Sequence, residues 1–165
     1  MKLNLVVDLV ILPGLALLPK EMTSPEAVAM LLAIGLQESR FIHRRQIKGP
    51  ARGFYQFEQN GGVAGVLGHN KTKEYIYDAL YKLGYDRSIQ TSYNALARDD
   101  TLATVYARLL LWASQSKLPG QAEVDIAWSQ YISAWRPGKP HRETWNAFYT
   151  KAWDLQRGYD DYCNS

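Results

Sequence analysis

A chain of 165 residues with 47% hydrophobic content is one globular domain's worth of sequence and can bury a real core. A formal net charge of +3 is compatible with an anionic partner such as cell wall or nucleic acid, but without a long run of Lys and Arg it falls well short of a dedicated nucleic-acid binder. The single cysteine, Cys163, excludes an intramolecular disulfide and fits folding in a reducing cytoplasm.

The apolar run Leu9-Val10-Ile11-Leu12-Pro13-Gly14-Leu15-Ala16-Leu17-Leu18 comes first. Asp8 lies just ahead of it, Lys2 is the only basic residue before it, and no small-x-small cleavage site follows. It is too short to span a membrane. Residues 1–22 are therefore expected to be a core helix or turn rather than a signal peptide.

Thr23-Ser24-Pro25-Glu26 predicts a helix start with a capping box between Thr23 and Glu26. The helix from Pro25 to about Phe41 is apolar nearly all round, which makes it central. Ala27, Leu31, Ile34 and Glu38 share one face of it. Gly49-Pro50 and Gly53 then break regular structure, and Gly61-Gly62, Gly65 and Gly68 read as a second flexible stretch.

Helices are predicted over Thr72–Leu83, closed by Gly84, and over Ser88–Ala97. Asp99 or Asp100 caps the next helix, which carries Leu102, Val105, Tyr106, Leu109, Leu110 and Ala113 at helical spacing. Two more follow, from about Glu123 to Trp135 and from about Arg142 to Gln156. No period-two strand, repeat or linker interrupts the pattern, so the expected fold is mainly α, one helical domain over residues 1–165.

Glu38 is the residue with the clearest chemistry. A carboxyl at the rim of an apolar core has its charged form disfavoured and can hold a proton near neutral pH. Such an acid beside an aromatic, amide-bearing turn, here Gly53-Phe54-Tyr55-Gln56, suits cleavage of a glycosidic bond. The alternative on position alone is a surface glutamate pairing with Arg40 or Arg44. Glu58, Asp86, Asp99, Asp100 and Asp125 are candidate second carboxylates, and none is an obvious partner for Glu38. His43, His69 and His141 lack metal-ligand spacing, so no metal or other cofactor is expected. Arg40, Arg44, Arg45 and Lys48 form a basic cluster that either attracts carboxylates or is a solvated helix end.

Glu38-Ser39-Arg40-Phe41 and Gly53-Phe54-Tyr55-Gln56 resemble two motifs of the lysozyme-like superfamily, in particular the soluble lytic transglycosylases and goose-type lysozymes. The first matches a Glu-Ser-x-Phe signature at the end of the catalytic helix. The second matches a Gly-Leu-Met-Gln turn, with Phe54 and Tyr55 in place of Leu and Met. Tyr131-Ile132-Ser133-Ala134-Trp135 stands where the family has Ala-Tyr-Asn-Ala-Gly. Tyr131 there corresponds to the tyrosine that contacts the catalytic carboxyl, while Ile132 and Trp135 replace the asparagine and glycine.

The resemblance implies a lysozyme-like fold with the catalytic Glu at the end of a buried central helix. It implies peptidoglycan glycan strands as substrate, cleaved between N-acetylmuramic acid and N-acetylglucosamine. Glu38 would serve as general acid and base, with Ser39, Tyr55, Gln56 and Tyr131 as substrate-binding or orienting residues. It further implies a phage lysis or virion-borne enzyme, made in the cytoplasm and acting on the cell wall, with virion proteins as partners. The product is an anhydro end in a transglycosylase and a reducing end in a hydrolase. The competing class is a non-catalytic virion protein that keeps the fold.

Overall fold

The computed structural model describes residues 2–163; the side chains of 159–163, that of Cys163 included, lie outside the description. The chain is mainly helical, and among the described residues no strand forms beyond isolated bridges joining Arg45 to Arg52 and Arg52 to Phe57.

The N-terminal apolar run is helical almost throughout, as α1 (Leu3–Val6), a wide π turn (Val7–Ile11) and α2 (Leu12–Leu15). It turns Val6, Val7, Val10, Ile11 and Leu15 into the core and leaves Leu9 outside. Gly14 lets α2 lie close on its neighbour, because a Cβ there would sit 2.6 Å from Thr104 Cβ.

Helix α3 (Pro25–Ser39) is the central element, packed against α7, the N-terminal turn and, most extensively, the C-terminal helix. Every residue from Ala27 to Leu36 is buried. Its N-cap is Ser24, whose Oγ accepts from Ala27 N at 3.2 Å, rather than the Thr23 expected for a capping box. The helix also stops two residues before Phe41. Arg40 and Phe41 both take left-handed backbone, with φ of 57° and 54°, and the chain doubles back. Phe41 then lands on Gly35, where an added Cβ would be 2.1 Å from the ring. That reversal leaves Glu38 at a helix end facing outward instead of continuing the buried rod.

Residues 61–68, expected to be flexible, are helical: a π turn (Gln59–Val63) leads into α4 (Ala64–Gly68). Burial of Val63, Val66 and Leu67 outweighs the poor helix propensity of glycine. Then come α5 (Lys73–Leu83), closed by Gly84 at φ 77°, and α6 (Ile89–Leu96), capped by Ser88. Helix α7 (Asp100–Ala113) is capped by Asp99, whose carboxylate accepts from Leu102 N at 2.9 Å. Helix α8 (Val124–Trp135) and α9 (Arg142–Cys163) complete the chain, α9 running past the expected Gln156. Buried apolar side chains from Val6 to Trp153 form one continuous cluster. No described helix is long and apolar enough to cross a membrane.

Candidate active site

Three segments far apart in sequence meet at the C-terminal end of α3. The first is α3 itself, which delivers Glu38. The second is the turn 53–57, held against the helix end by Ser39: its hydroxyl donates to Phe54 O at 2.7 Å and accepts from Phe41 N at 3.2 Å. Gly53 has a φ of 76°, and a Cβ there would approach Leu96 O to 2.9 Å, so a side chain is excluded. The third is α8, whose Tyr131 points its hydroxyl at the acid.

Tyr131 O–H donates to Glu38 Oε1 at 2.6 Å. The phenol is itself fixed by an aromatic scaffold. Its ring stacks on Trp145 with centroids 5.1 Å apart and planes 9° from parallel, while Trp128 leans on both. Trp145 is fully buried and anchored by Nε1–H to Val124 O at 3.2 Å. The hydrogen bond therefore arises from packing between α8 and α9 and is not a surface accident.

Around these groups opens a cleft of about 1520 Å³. Glu38, Gln56, Tyr131 and Trp135 are on its wall, with Glu58 and Asp125 as further acids. Loss of water around the half-buried Glu38 pushes its carboxyl up to about 7, and the Tyr131 hydrogen bond partly opposes that rise. Near neutral pH the group is thus divided between acid and carboxylate, able to give a proton in one step and take one in the next. Burial and the adjacent Glu38 both drive the Tyr131 phenol upward, so it remains a neutral donor.

Gln56 sits in the cleft wall with φ 51°, and its Nε2 donates to Gly53 O at 2.9 Å. One end of the amide therefore braces its own turn. Tyr55 and Ser39 lie behind the cleft surface. Tyr55 has no exposed surface: its hydroxyl lies 3.4 Å from Thr104 Oγ1, its ring meets Phe41 edge-on, and only its carbonyl turns toward the cleft wall, accepting from Trp135 Nε1 at 2.9 Å. Ser39, 4% exposed, has its hydroxyl engaged with backbone. Neither side chain is placed to touch a substrate, and Ser39 acts instead as the latch between helix and turn.

The candidate second carboxylates separate by place. Asp99 caps α7 and accepts from Tyr85 O–H at 3.0 Å; Asp100 takes both arms of Arg44; Asp86 caps the turn at Ser88 and Thr91. Only Glu58 and Asp125 reach the cleft, both exposed, and Asp125 is paired with Arg142. The basic cluster also divides. Arg44 is tied to Asp100, and Arg40 caps the carbonyls of Leu36 and Gln37 while lying 4.1 Å over the Phe148 ring. Arg45 and Lys48 remain exposed.

Gln37 is a functional neighbour that the sequence pattern does not mark. It lines the cleft beside Glu38, donates to His141 O at 3.0 Å and accepts from Thr144 Oγ1 at 3.0 Å, which ties the end of α3 to the start of α9. An amide next to a candidate acid carries no spacing signal that would reveal this. Among the described residues no group of three or more His, Cys, Asp and Glu side chains is placed to hold a metal ion. Set against family models, curated proteins and solved structures, the chain matches none, so its functional reading rests on Glu38, the Tyr131 phenol and the cleft they share.

Proposed function

We propose that the chain is a peptidoglycan-cleaving glycosidase of the lytic transglycosylase type, serving phage lysis or virion-borne wall opening, with Glu38 as the single acid and base. The observation that carries this reading is a carboxyl raised to about 7 at the wall of a large cleft, held by one neutral phenol and, among the described residues, by no cation. The motif-like segments at Glu38-Ser39-x-Phe41, Gly53-to-Gln56 and Tyr131 support it because they converge on that carboxyl.

In the first step protonated Glu38 gives its proton to the glycosidic oxygen as the C1–O4 bond breaks, and N-acetylglucosamine departs with a free 4-hydroxyl. The resulting carboxylate then takes the proton of the muramic 6-hydroxyl as that oxygen bonds to C1. The product has a 1,6-anhydro end and Glu38 is again protonated. No second carboxylate is needed. A hydrolase of the inverting kind instead requires one about 6.5–9.5 Å from the first to activate water. Asp86, Asp99 and Asp100 are engaged elsewhere and Asp125 is paired with Arg142, which leaves Glu58 as the one weighed carboxylate on the cleft wall for that role.

Mass spectrometry of muropeptides from purified peptidoglycan tests the reading. Anhydro ends are expected from the wild type, with turnover by Glu38→Gln lowered by roughly 10²–10⁴, the usual contribution of a positioned general acid. Reducing ends would replace the transglycosylase by a hydrolase. Equal digestion by both proteins would remove Glu38 from the mechanism, and no digestion by either would favour a non-catalytic wall or virion protein.

A further inference from the structure

A second cavity, of about 440 Å³, opens at the other end of α3, where its N-terminus meets the last turns of α7. Glu21, Ser24, Glu26, Arg108, Trp112 and Lys117 are on its wall. Arg108 is the unusual member. It is only 4% exposed, its Nε–H donates to Met22 O at 2.8 Å, and its guanidinium lies 5.3 Å over the Trp112 ring.

Among the described residues neither Nη of Arg108 has a hydrogen-bond or ion-pair partner. Burial holds its pKa down to about 10, with no neighbouring carboxylate among the causes to offset that. The side chain is still a cation at neutral pH, so a largely buried charge stands at the cavity wall without a counter-ion from the described residues. That arrangement is costly unless something else supplies the anion.

We propose that this cavity binds a zwitterionic ligand, a free amino-acid or peptide carboxylate held by Nη1 and Nη2 of Arg108, with an ammonium group facing Glu21 and Glu26. The chemistry follows from which donors are left. With Nε committed to Met22, the remaining pair is the end-on fork, whose two N–H groups match the two oxygens of one carboxylate. Trp112 beneath the guanidinium fixes the plane of that fork. Glu21 and Glu26 set against Arg108 and Lys117 give the wall both signs, which favours a molecule that also carries both over a phosphate or a dicarboxylate. Ser116 lies on the walls of this cavity and of the Glu38 cleft, so the two adjoin. A peptide branching from a glycan in the cleft would meet this site, a corollary that rests on the glycosidase reading whereas the binding itself does not.

The test is calorimetric titration of the full chain with lysyl-alanyl-alanine, with the same peptide as its C-terminal amide, and with inorganic phosphate. The free acid is expected to bind roughly tenfold or more tightly than the amide, the range for losing one charge-assisted pair. Arg108→Gln should lose the preference for the acid, and Glu26→Gln should weaken the free acid and the amide alike, since both carry the ammonium group. Equal binding of acid and amide, tighter binding of phosphate than of peptide, or no binding of any probe at millimolar concentration would each overturn the proposal. The acid-against-amide comparison uses the wild type alone, so it decides even where Arg108→Gln fails to fold. No glycan is involved, and Glu38→Gln is expected to bind the peptide as the wild type does, which separates this result from the fate of the glycosidase reading.

Discussion

The C-terminal end of α3 carries one partly buried carboxylate and the N-terminal end of α7 carries two, and they are treated in opposite ways. Asp99 and Asp100 sit at the positive end of a helix dipole, where backbone N–H groups are free to donate. Asp99 uses one of them, and Asp100 is gripped by both arms of Arg44 at 2.7 and 2.6 Å. Glu38 lies in the last turn of α3, at the negative end, where carbonyls rather than donors face it. The nearest cation on its own helix end, Arg40, is turned to the carbonyls of Leu36 and Gln37. Glu38 therefore keeps one neutral partner and a raised pKa. A paired carboxylate builds structure, and an unpaired one retains a proton that it can give away.

The largest test of that contrast is the effect of Glu38→Gln on stability across pH. The carboxyl titrates near 4.5 in the unfolded chain and about 7 in the folded one. Between those values the folded state holds a proton that the unfolded state has released, so wild-type stability falls as pH rises through that window. Gln has no such dependence. The two proteins should be about equally stable at pH 4, and by pH 8 the Gln variant should lead by at most about 3 kcal/mol. Urea denaturation at both pH values reads the difference, and a constant gap would mean that Glu38 is not desolvated.

Asp100→Asn should move stability the other way. Removing the charge leaves the Arg44 guanidinium, 38% exposed, without its ion partner, at a cost of about 1–2 kcal/mol. Arg44 also lies 4.3 Å over the Phe54 ring, and its carbonyl accepts from Gly53 N, so the loss reaches the turn that lines the cleft. At pH 8 the two carboxylate-to-amide changes are therefore expected to have opposite signs. An Asn variant as stable as the wild type would show that the Arg44 pair is only surface decoration.

How much of this could be read in advance varied with the kind of information required. The central place of α3 was legible because its apolar residues run unbroken around the helix, and the helix caps at Ser88, Gly84 and Asp99 follow from local chemistry. Orientation within the turn 53–57 was not. Positive φ at both Gly53 and Gln56 decides which side chains face inward, and no side-chain pattern announces it. Tyr55 consequently went to the core and Gln56 to the cleft. The glycines of 61–68 misled because tertiary burial overrode propensity; Gly62 also lies under the Phe57 ring, where a Cβ would come within 2.5 Å. Arg108 carries a signal in the sequence itself. It falls between Val105 and Leu109 on the buried side of α7, and a charge at such a position needs a reason.

The smallest expected effect concerns the partner of Glu38. Its hydrogen bond from Tyr131 favours the carboxylate and so opposes the rise caused by burial. Tyr131→Phe removes the donor and leaves desolvation unopposed, so the carboxyl should rise further. The alkaline limb of turnover against pH then moves to higher pH, because more of the enzyme holds its proton there. The acid step gains, while the returning step, in which the carboxylate takes a proton, begins from a less available base. The Phe ring keeps the stack on Trp145 at 5.1 Å, so the α8–α9 packing and thermal stability should change little. A pH–rate profile of the variant that keeps its alkaline limb in place, or moves it down, would reduce Tyr131 to a packing residue. An upward shift with the fold intact would show that α8 tunes the proton affinity of an acid 93 positions away in sequence, through a phenol that the aromatic stack holds still.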